Sequence, residues 1–212
     1  MELRAADVPA IARRLGRVFE EKRDYLNELD AKLGDGDHGL SMARGFSALA
    51  SFFEATPPVS VAEALLQGGV QFNEISGSTI GILMFSAMRE AGKVIAGKDL
   101  IGLPELAAML EAAIGGIRKR GKADAGQKTI LDSLLPALAA LQGGLATGRP
   151  EEEVLRGAAR AASEGAERTR EMESTVGRAR WFAERSKGEL DPGAVSGAII
   201  VHTVVSYLLG AG

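Results

Sequence analysis

The sequence contains no cysteine among its 212 residues. Disulfide bonds are therefore excluded, as are zinc or iron–sulfur sites that use thiolate ligands. Aromatic residues are scarce, at 5%, and runs that alternate polar and apolar residues are rare, so β-strands are not predicted. A net charge of −3 gives no basic surface for nucleic acid or an anionic membrane. The first residues lack the apolar core of a secretory signal, and we expect a cytoplasmic protein.

The longest apolar segment lies near the C-terminus and reads "GAVSGAIIVHTVVSYLLG", from Gly193 to Gly210. A membrane span needs about 18 apolar residues or more, so this segment only reaches the lower limit, and His202 interrupts it. A helix that is apolar on all sides is typical of the buried interior of a soluble fold. We therefore predict a buried helix with His202 in the core, and no membrane partner.

Apolar residues recur with helical spacing along most of the chain. The length suits a single domain over residues 1–212. Ser60 and Glu63 have the spacing of a capping box, and Asp191 followed by Pro192 is typical of a helix start. We predict an all-α protein of eight helices. The first five cover about residues 7–30, 38–56, 60–74, 78–95 and 104–120. The sixth begins near residue 128, the seventh covers about residues 151–173, and the eighth begins at residue 192.

The links between these helices are mostly short, which makes successive helices antiparallel neighbours. In an up-and-down arrangement, the first, third, fifth and seventh links then share one end of the molecule. Those links hold most of the loop glycines, hydroxyls, aspartates and basic residues. The helices that begin at that end also direct their positive dipole ends toward it. An anion site flanked by carboxylates is therefore predicted at this end.

The first of these links, "KLGDGDHG", and the helix end before it place three aspartates within eight residues: Asp30 at the helix end, and Asp35 and Asp37 in the glycine-containing loop. A dinucleotide-binding loop is rejected because no strand precedes it, and an EF-hand is rejected because the later ligand positions hold apolar residues. Converging carboxylates suit Mg²⁺, which prefers oxygen ligands and completes its shell with water and phosphate. The alternative is that Asp37 only caps the second helix and Asp35 is a solvated loop residue.

Other links offer groups that suit an anion. Ser78 and Thr79 stand at a predicted helix start, where backbone N–H groups point outward. Arg178 could compensate phosphate charge, and His38 could orient an aspartate or a phosphate. Each has an ordinary alternative as a capping or surface residue. Taken with the aspartates, they favour a site for a metal-bound phosphate compound.

Together these residues resemble the nucleotide-binding L-subunit family of dihydroxyacetone kinases. The resemblance rests on "LDAKLGDGDHGLSMARGF", "GKADAGQKTILDSLLPAL" and "GRARWFAERSKGELDPGAVSGAI", which follow the family's order along nearly the whole chain. It implies an eight-helix barrel that binds ADP or ATP at one end through two Mg²⁺ held by Asp30, Asp35 and Asp37, with no catalytic residue of its own. It further implies nucleotide contacts from His38, Gly39, Leu40, Ser41, Ser78, Thr79, Gly121, Ile130, Arg178, Asp191, Pro192 and Gly193.

The same resemblance implies partners. A separate K subunit would hold the short ketose, dihydroxyacetone, and a phosphohistidine-carrying M subunit of a phosphotransferase system would rephosphorylate bound ADP. Gln127 stands where the family usually has aspartate, and Arg180 and Trp181 replace a more usual Ser-Tyr pair, so the rim that faces a partner differs.

Several alternatives stay open from the sequence. The subunit could exchange ATP, act on another ketose, or sense ADP and contact a transcription regulator without turnover. A homodimer is also compatible with the sequence. The related fatty-acid kinase nucleotide domain is disfavoured because its signature reads Asp-Gly-Asp-Thr-Gly-Thr-Asn, whereas this chain has Asp-Gly-Asp-His-Gly-Leu-Ser.

Overall fold

A computed structural model describes residues 2–210, apart from the side chains of Arg178 and Phe182. Three 3₁₀ turns cover Ala5–Asp7, Thr169–Glu171 and Arg178–Phe182, and one isolated β-bridge joins Leu3 to Ile101. The α-helices of the described residues are α1 (Val8–Ala31), α2 (His38–Ala55), α3 (Val61–Ser76), α4 (Thr79–Val94), α5 (Leu103–Gly121), α6 (Leu131–Ala146), α7 (Glu151–Arg168), α8 (Ala183–Ser186) and α9 (Pro192–Leu208).

The long helices form a closed ring. Each helix from α1 to α6 packs against the next one in the chain, and α9 packs against both α7 and α1. The helix α8 is a single turn within the connection from α7 to α9. The predicted eight-helix antiparallel barrel is therefore confirmed, with α8 as an addition that the sequence pattern did not indicate.

Aromatic packing fixes the helices on one side of the barrel. The rings of Phe19 and Phe46 stack with centroids 4.9 Å apart, and Phe72 meets Phe46 edge-on at 5.1 Å. All three side chains are buried, and each stabilises the fold by about 2–3 kcal/mol through burial alone. A Cβ on Gly45 would lie 2.4 Å from the Phe72 ring, so this glycine gives the ring its space.

Two predicted helix starts have real caps. Ser60 Oγ accepts a hydrogen bond from Glu63 N at 3.1 Å, but the Glu63 carboxylate accepts from Val59 N instead of Ser60 N. Only half of the predicted capping box is therefore present. Asp191 Oδ2 accepts from Ala194 N at 2.7 Å and caps α9 as predicted.

Two helix bounds differ from the prediction. The sixth helix begins at Leu131 because the preceding residues form a loop of their own. The seventh helix ends at Arg168, where the chain tightens into the Thr169–Glu171 3₁₀ turn. The segment between that turn and Pro192 is consequently longer than expected.

The C-terminal helix α9 is a member of the ring and is not enclosed by the other helices. Its small residues permit close contact with α6, since a Cβ on Gly197 would lie 2.2 Å from Ser133 Oγ. His202 is exposed, so the prediction that it lies in the core was wrong. Among residues 2–210, no helix is both long enough and apolar enough to cross a membrane.

Candidate functional site

The link between α1 and α2 folds back onto Asp30. Asp30 Oδ2 accepts hydrogen bonds from Gly36 N at 2.8 Å and from Asp37 N at 3.1 Å. Its backbone oxygen accepts from Leu33 N and Gly34 N, at 3.0 and 2.6 Å. The turn requires a φ of +76° at Gly36, which glycine adopts without steric cost.

This fold brings the three predicted aspartates together. One carboxylate oxygen from each of Asp30, Asp35 and Asp37 lies within 4.8 Å of the other two. Asp30 is half-buried and the other two are exposed. Asp37 is the N-cap residue of α2, yet its side chain makes no capping hydrogen bond. Three carboxylates this close together form an oxygen-only donor set, which fits Mg²⁺.

The N-terminus of α4 faces the same space. Ser78 is its N-cap residue, but no side-chain capping bond forms. The Ser78 Oγ atom is buried and has no hydrogen-bond partner among the described residues. A buried hydroxyl without a partner costs free energy unless a ligand or water satisfies it. With the helix dipole behind it, this position suits a phosphate oxygen.

The N-terminus of α9 borders the same space. Burial raises the pKa of Asp191 to about 7, and the nearby carboxylates of Asp132 and Asp30 act in the same direction. A Cβ on Gly193 would lie 2.9 Å from Asp191 Oδ2 and 3.3 Å from Ile130 N. Only glycine therefore allows the start of α9 to approach the start of α6 this closely.

His38 joins two of these helix starts. Its Nε2 atom lies 2.8 Å from Ser196 Oγ on α9. Burial lowers the pKa of His38 to about 4, although the charge of Asp30 opposes this effect. The imidazole is therefore neutral near pH 7 and fixes the start of α2 against α9.

These elements surround one cleft of about 770 Å³ at the end of the barrel where four connections meet. Its lining includes the aspartate cluster and also apolar side chains, among them Leu83, Ile117, Ala123 and Ile130. The predicted site residues that line the cleft are Asp30, Asp35, Asp37, His38, Ser78, Thr79, Gly121, Ile130, Asp191, Pro192 and Gly193.

Comparison with known proteins shows that residues 32–206 match the model of the DAK2 domain. The chain belongs to the DAK2-domain family. A relative from Listeria innocua, the ADP-binding subunit DhaL of PEP-dependent dihydroxyacetone kinase 1, is 33% identical over 190 residues, which cover 90% of each chain. The ADP-binding subunit DhaL from Escherichia coli is 32% identical over 183 residues, which cover 86% of this chain and 87% of that protein. The family resemblance seen in the motifs is therefore confirmed.

A solved structure of this family has the same fold. The dihydroxyacetone kinase of C. freundii, crystallised in complex with AMP-PNP and Mg²⁺, matches with a TM-score of 0.74 and 27% sequence identity. The match covers 94% of this chain and 33% of that chain. The barrel of this DAK2-domain protein thus corresponds to one part of a larger kinase chain.

Three predicted contacts lie beside the cleft and do not line it. Gly39 packs against α1, since a Cβ there would lie 2.1 Å from the backbone oxygen of Arg23. Leu40 N donates to Asn27 Oδ1 at 3.1 Å, and Ser41 is buried. The first turn of α2 is therefore pressed onto α1. The side chain of Arg178 lies outside the described residues.

The link between α5 and α6 and the first turn of α6 contain residues to which the sequence pattern gave no role. Asp132 Oδ1 accepts from Gly126 N at 2.6 Å, and Oδ2 accepts from Thr129 N at 2.7 Å. This carboxylate shapes the loop that carries Lys128 and Ile130 into the cleft wall. The spacing of three residues from Thr129 to Asp132 is a helix-start signal that could have indicated this role.

The rim of the cleft carries the pair that departs from the usual family pattern. Trp181 is 74% exposed and lines the cleft edge. The guanidinium of Arg180 lies 4.7 Å from the centroid of the Trp181 ring. A cation over an indole face is stabilising at this distance, so the two side chains form one amphipathic element.

Proposed function

We propose that this chain is the nucleotide-binding subunit of a dihydroxyacetone-type kinase. It binds ADP, or ATP, with two Mg²⁺, and a phosphoryl group passes from this site to a short ketose on a separate K subunit. Residues 1–212 form a single L-type domain, and the protein works in the cytoplasm. The observation that carries the proposal is the meeting of three carboxylates with the open N-terminus of α4 in one cleft.

The polar lining residues of the cleft suit metal-bound phosphates. Asp30, Asp35 and Asp37 hold the Mg²⁺ ions, which neutralise phosphate charge during phosphoryl transfer. The orphan hydroxyl of Ser78 and the first amides of α4 donate to phosphate oxygens. Carboxylates alone would repel a polyphosphate, so the metal is required for these groups to share a ligand.

The apolar lining residues of the cleft suit a nucleoside. Leu83, Ile117 and Ile130 provide walls at which a flat base loses apolar surface to water. The relatives from Listeria innocua and Escherichia coli are both named ADP-binding subunits. A cleft lined both by a carboxylate cluster and by apolar side chains therefore serves a nucleotide better than it serves a free phosphate or a sugar phosphate.

The partners follow from the relatives. The Listeria and Escherichia coli subunits belong to PEP-dependent kinases, and a Lactococcus lactis relative belongs to a PTS-dependent one. We propose that an M subunit with a phosphohistidine rephosphorylates ADP that stays bound here. No side chain of this subunit forms a covalent intermediate, because positioning and charge neutralisation are sufficient for phosphoryl transfer.

The first test is the nucleotide content of the protein purified without added nucleotide. Acid release and chromatography should yield about one ADP per chain if ADP is a bound cofactor. Asp35→Asn and Asp37→Asn should lose it, because each removes one charged ligand. Asp99→Asn is the matched control, since Asp99 is an exposed aspartate in the α4–α5 link, away from the cleft.

An empty wild-type protein that binds added Mg-ATP would indicate nucleotide exchange instead of a cofactor relay. An empty protein that binds neither nucleotide would refute the proposal. Formation of dihydroxyacetone phosphate in a mixture with K and M subunits separates a kinase subunit from an ADP sensor, which would bind nucleotide without turnover.

A further inference from the structure

Lys128 has an unusual environment for a lysine. Only 3% of the residue is exposed, and its ammonium is surrounded by main-chain atoms. An ammonium has three N–H donors and no acceptor, so it can satisfy several carbonyls at once. Lys128 Nζ donates to the backbone oxygens of Thr169, Met172, Ser186 and Glu189, at 2.8, 3.2, 2.5 and 2.7 Å.

The backbone of Lys128 is also special. Its φ is +59°, in the left-handed region that residues with a Cβ rarely adopt. The hydrogen bonds from Gly126 N and Thr129 N to Asp132 hold the loop on both sides of it. The loop therefore maintains an unfavourable backbone conformation that directs this side chain inward.

The four carbonyls belong to the two ends of one segment, residues 169–190, which we call the wall segment. Thr169 and Met172 lie at its beginning, and Ser186 and Glu189 lie at its end. The two ends also meet through Gly188 N and the Arg170 oxygen at 2.7 Å. The ammonium thus lies between the ends of a loop that leaves the barrel and returns.

The middle of the wall segment forms one side of the cleft. Gly177, Ala179, Arg180 and Trp181 all line the cleft. Ser174 N donates to Ser186 Oγ at 2.8 Å, so the approach to this middle part is bonded to the far end of the same segment. How firmly the two ends are held therefore affects where the middle of the segment lies over the cleft.

We propose that Lys128 is a positioning residue whose ammonium clamps both ends of the wall segment and so holds this side of the cleft against bound nucleotide. The inference rests on the proposed function. Burial lowers the pKa of Lys128, while Asp191 and Glu189 act in the opposite direction. A side chain of the same length without N–H groups would remove this donor from all four carbonyls, of which Thr169 O and Ser186 O keep backbone donors from Met172 N and Glu189 N.

The test compares Lys128→Met with Lys187→Met. Methionine has a similar length to lysine but no N–H group. Lys187 is an exposed lysine of the same wall segment, so its replacement controls for loss of charge. Hydrogen exchange of residues 172–190 is measured on the nucleotide-free protein. The rate of ADP dissociation is measured by the fluorescence of Trp181, the only tryptophan in the sequence.

We expect K128M to raise exchange in the wall segment by about tenfold or more, while the amides of α1–α4 stay protected. ADP should dissociate faster by a similar factor, with a shift in Trp181 emission. K187M should behave as wild type. Unchanged exchange in K128M would overturn the clamp, and faster exchange with an unchanged ADP dissociation rate would overturn its role in nucleotide retention.

Failure of the proposed function would look different. If wild-type protein binds no ADP, the nucleotide part of the inference fails, but the exchange measurement still decides whether Lys128 holds the segment. If circular dichroism shows that K128M does not fold, Lys128→Gln takes its place. Glutamine is shorter and uncharged but keeps two N–H donors, and the same outcomes apply to it.

Discussion

Gly34→Ala should damage the metal site by adding one methyl group. A Cβ on Gly34 would lie 2.4 Å from Asp30 Oδ1 and 3.0 Å from the Asp30 backbone oxygen. Ordinary contacts of this kind are about 3.5 Å, so the Asp30 carboxylate must move by roughly 1 Å. The carboxylate cannot move freely, because it also holds Gly36 N and Asp37 N.

The cost follows from those two hydrogen bonds. A hydrogen bond to a charged group contributes about 1.5–3 kcal/mol, and the displacement should break or weaken the equivalent of one. We expect the free energy of unfolding of metal-free G34A to fall by about 1.5–3 kcal/mol in urea titrations. The affinity for Mg-ADP, measured by calorimetry, should fall by at least about tenfold because one metal ligand is displaced.

Gly115→Ala is the matched control. Gly115 lies inside α5, is exposed, and a Cβ there would meet nothing within 4 Å. Alanine is a better helix former than glycine by about 1 kcal/mol, so G115A should be more stable than wild type and bind Mg-ADP equally well. If G34A has wild-type stability and Mg-ADP affinity, the Asp30 carboxylate is not held as the structure indicates.

Two further predictions concern Ser78 and Asp191. Ser78→Ala should leave the stability of the metal-free protein unchanged or higher, because Ser78 Oγ has no hydrogen-bond partner among the described residues, but it should weaken ADP binding by about three- to tenfold. Ser60→Ala is the comparison: it removes the side-chain cap of α3, so the free energy of unfolding should fall by about 1 kcal/mol while the ADP affinity stays the same. Asp191→Asn should change the pH dependence of stability. The pKa of Asp191 in the folded protein is raised to about 7, so between about pH 4 and 7 the folded state retains a proton that the unfolded chain loses. The stability of the wild-type protein should therefore fall relative to that of D191N as the pH rises through this range. Urea titrations of both proteins at pH 5, 6 and 7 measure this difference, and parallel curves would contradict the burial of Asp191.

The helices were predictable because their signals are local. Apolar spacing and the caps at Ser60 and Asp191 mark most helix starts within a few residues. The aspartate cluster was also predictable from a local signal, since its three members lie within eight residues, at the end of α1 and in the link that follows it. Helix order alone predicted at which end of the barrel the aspartates lie.

The rest depends on contacts between distant parts of the chain. Lys128 binds carbonyl oxygens 41 to 61 residues away, and a backbone acceptor leaves no pattern in the sequence. The close approach of Gly39 to the backbone of Arg23 on α1 is likewise a contact between separate helices. His202 was assigned to the core because α9 is almost entirely apolar, although the small residues of α9 form its contact with α6.

The central claim is that this chain binds ADP through a divalent metal held by the aspartate cluster. The most direct measurement is calorimetric titration of ADP into nucleotide-free protein, with Mg²⁺ and with a chelator, for wild type, Asp35→Asn and Asp99→Asn. We predict one ADP per chain for wild type and D99N with Mg²⁺, and an affinity more than about tenfold weaker with the chelator or in D35N. ADP binding that is indifferent to both Mg²⁺ and Asp35 would contradict the claim.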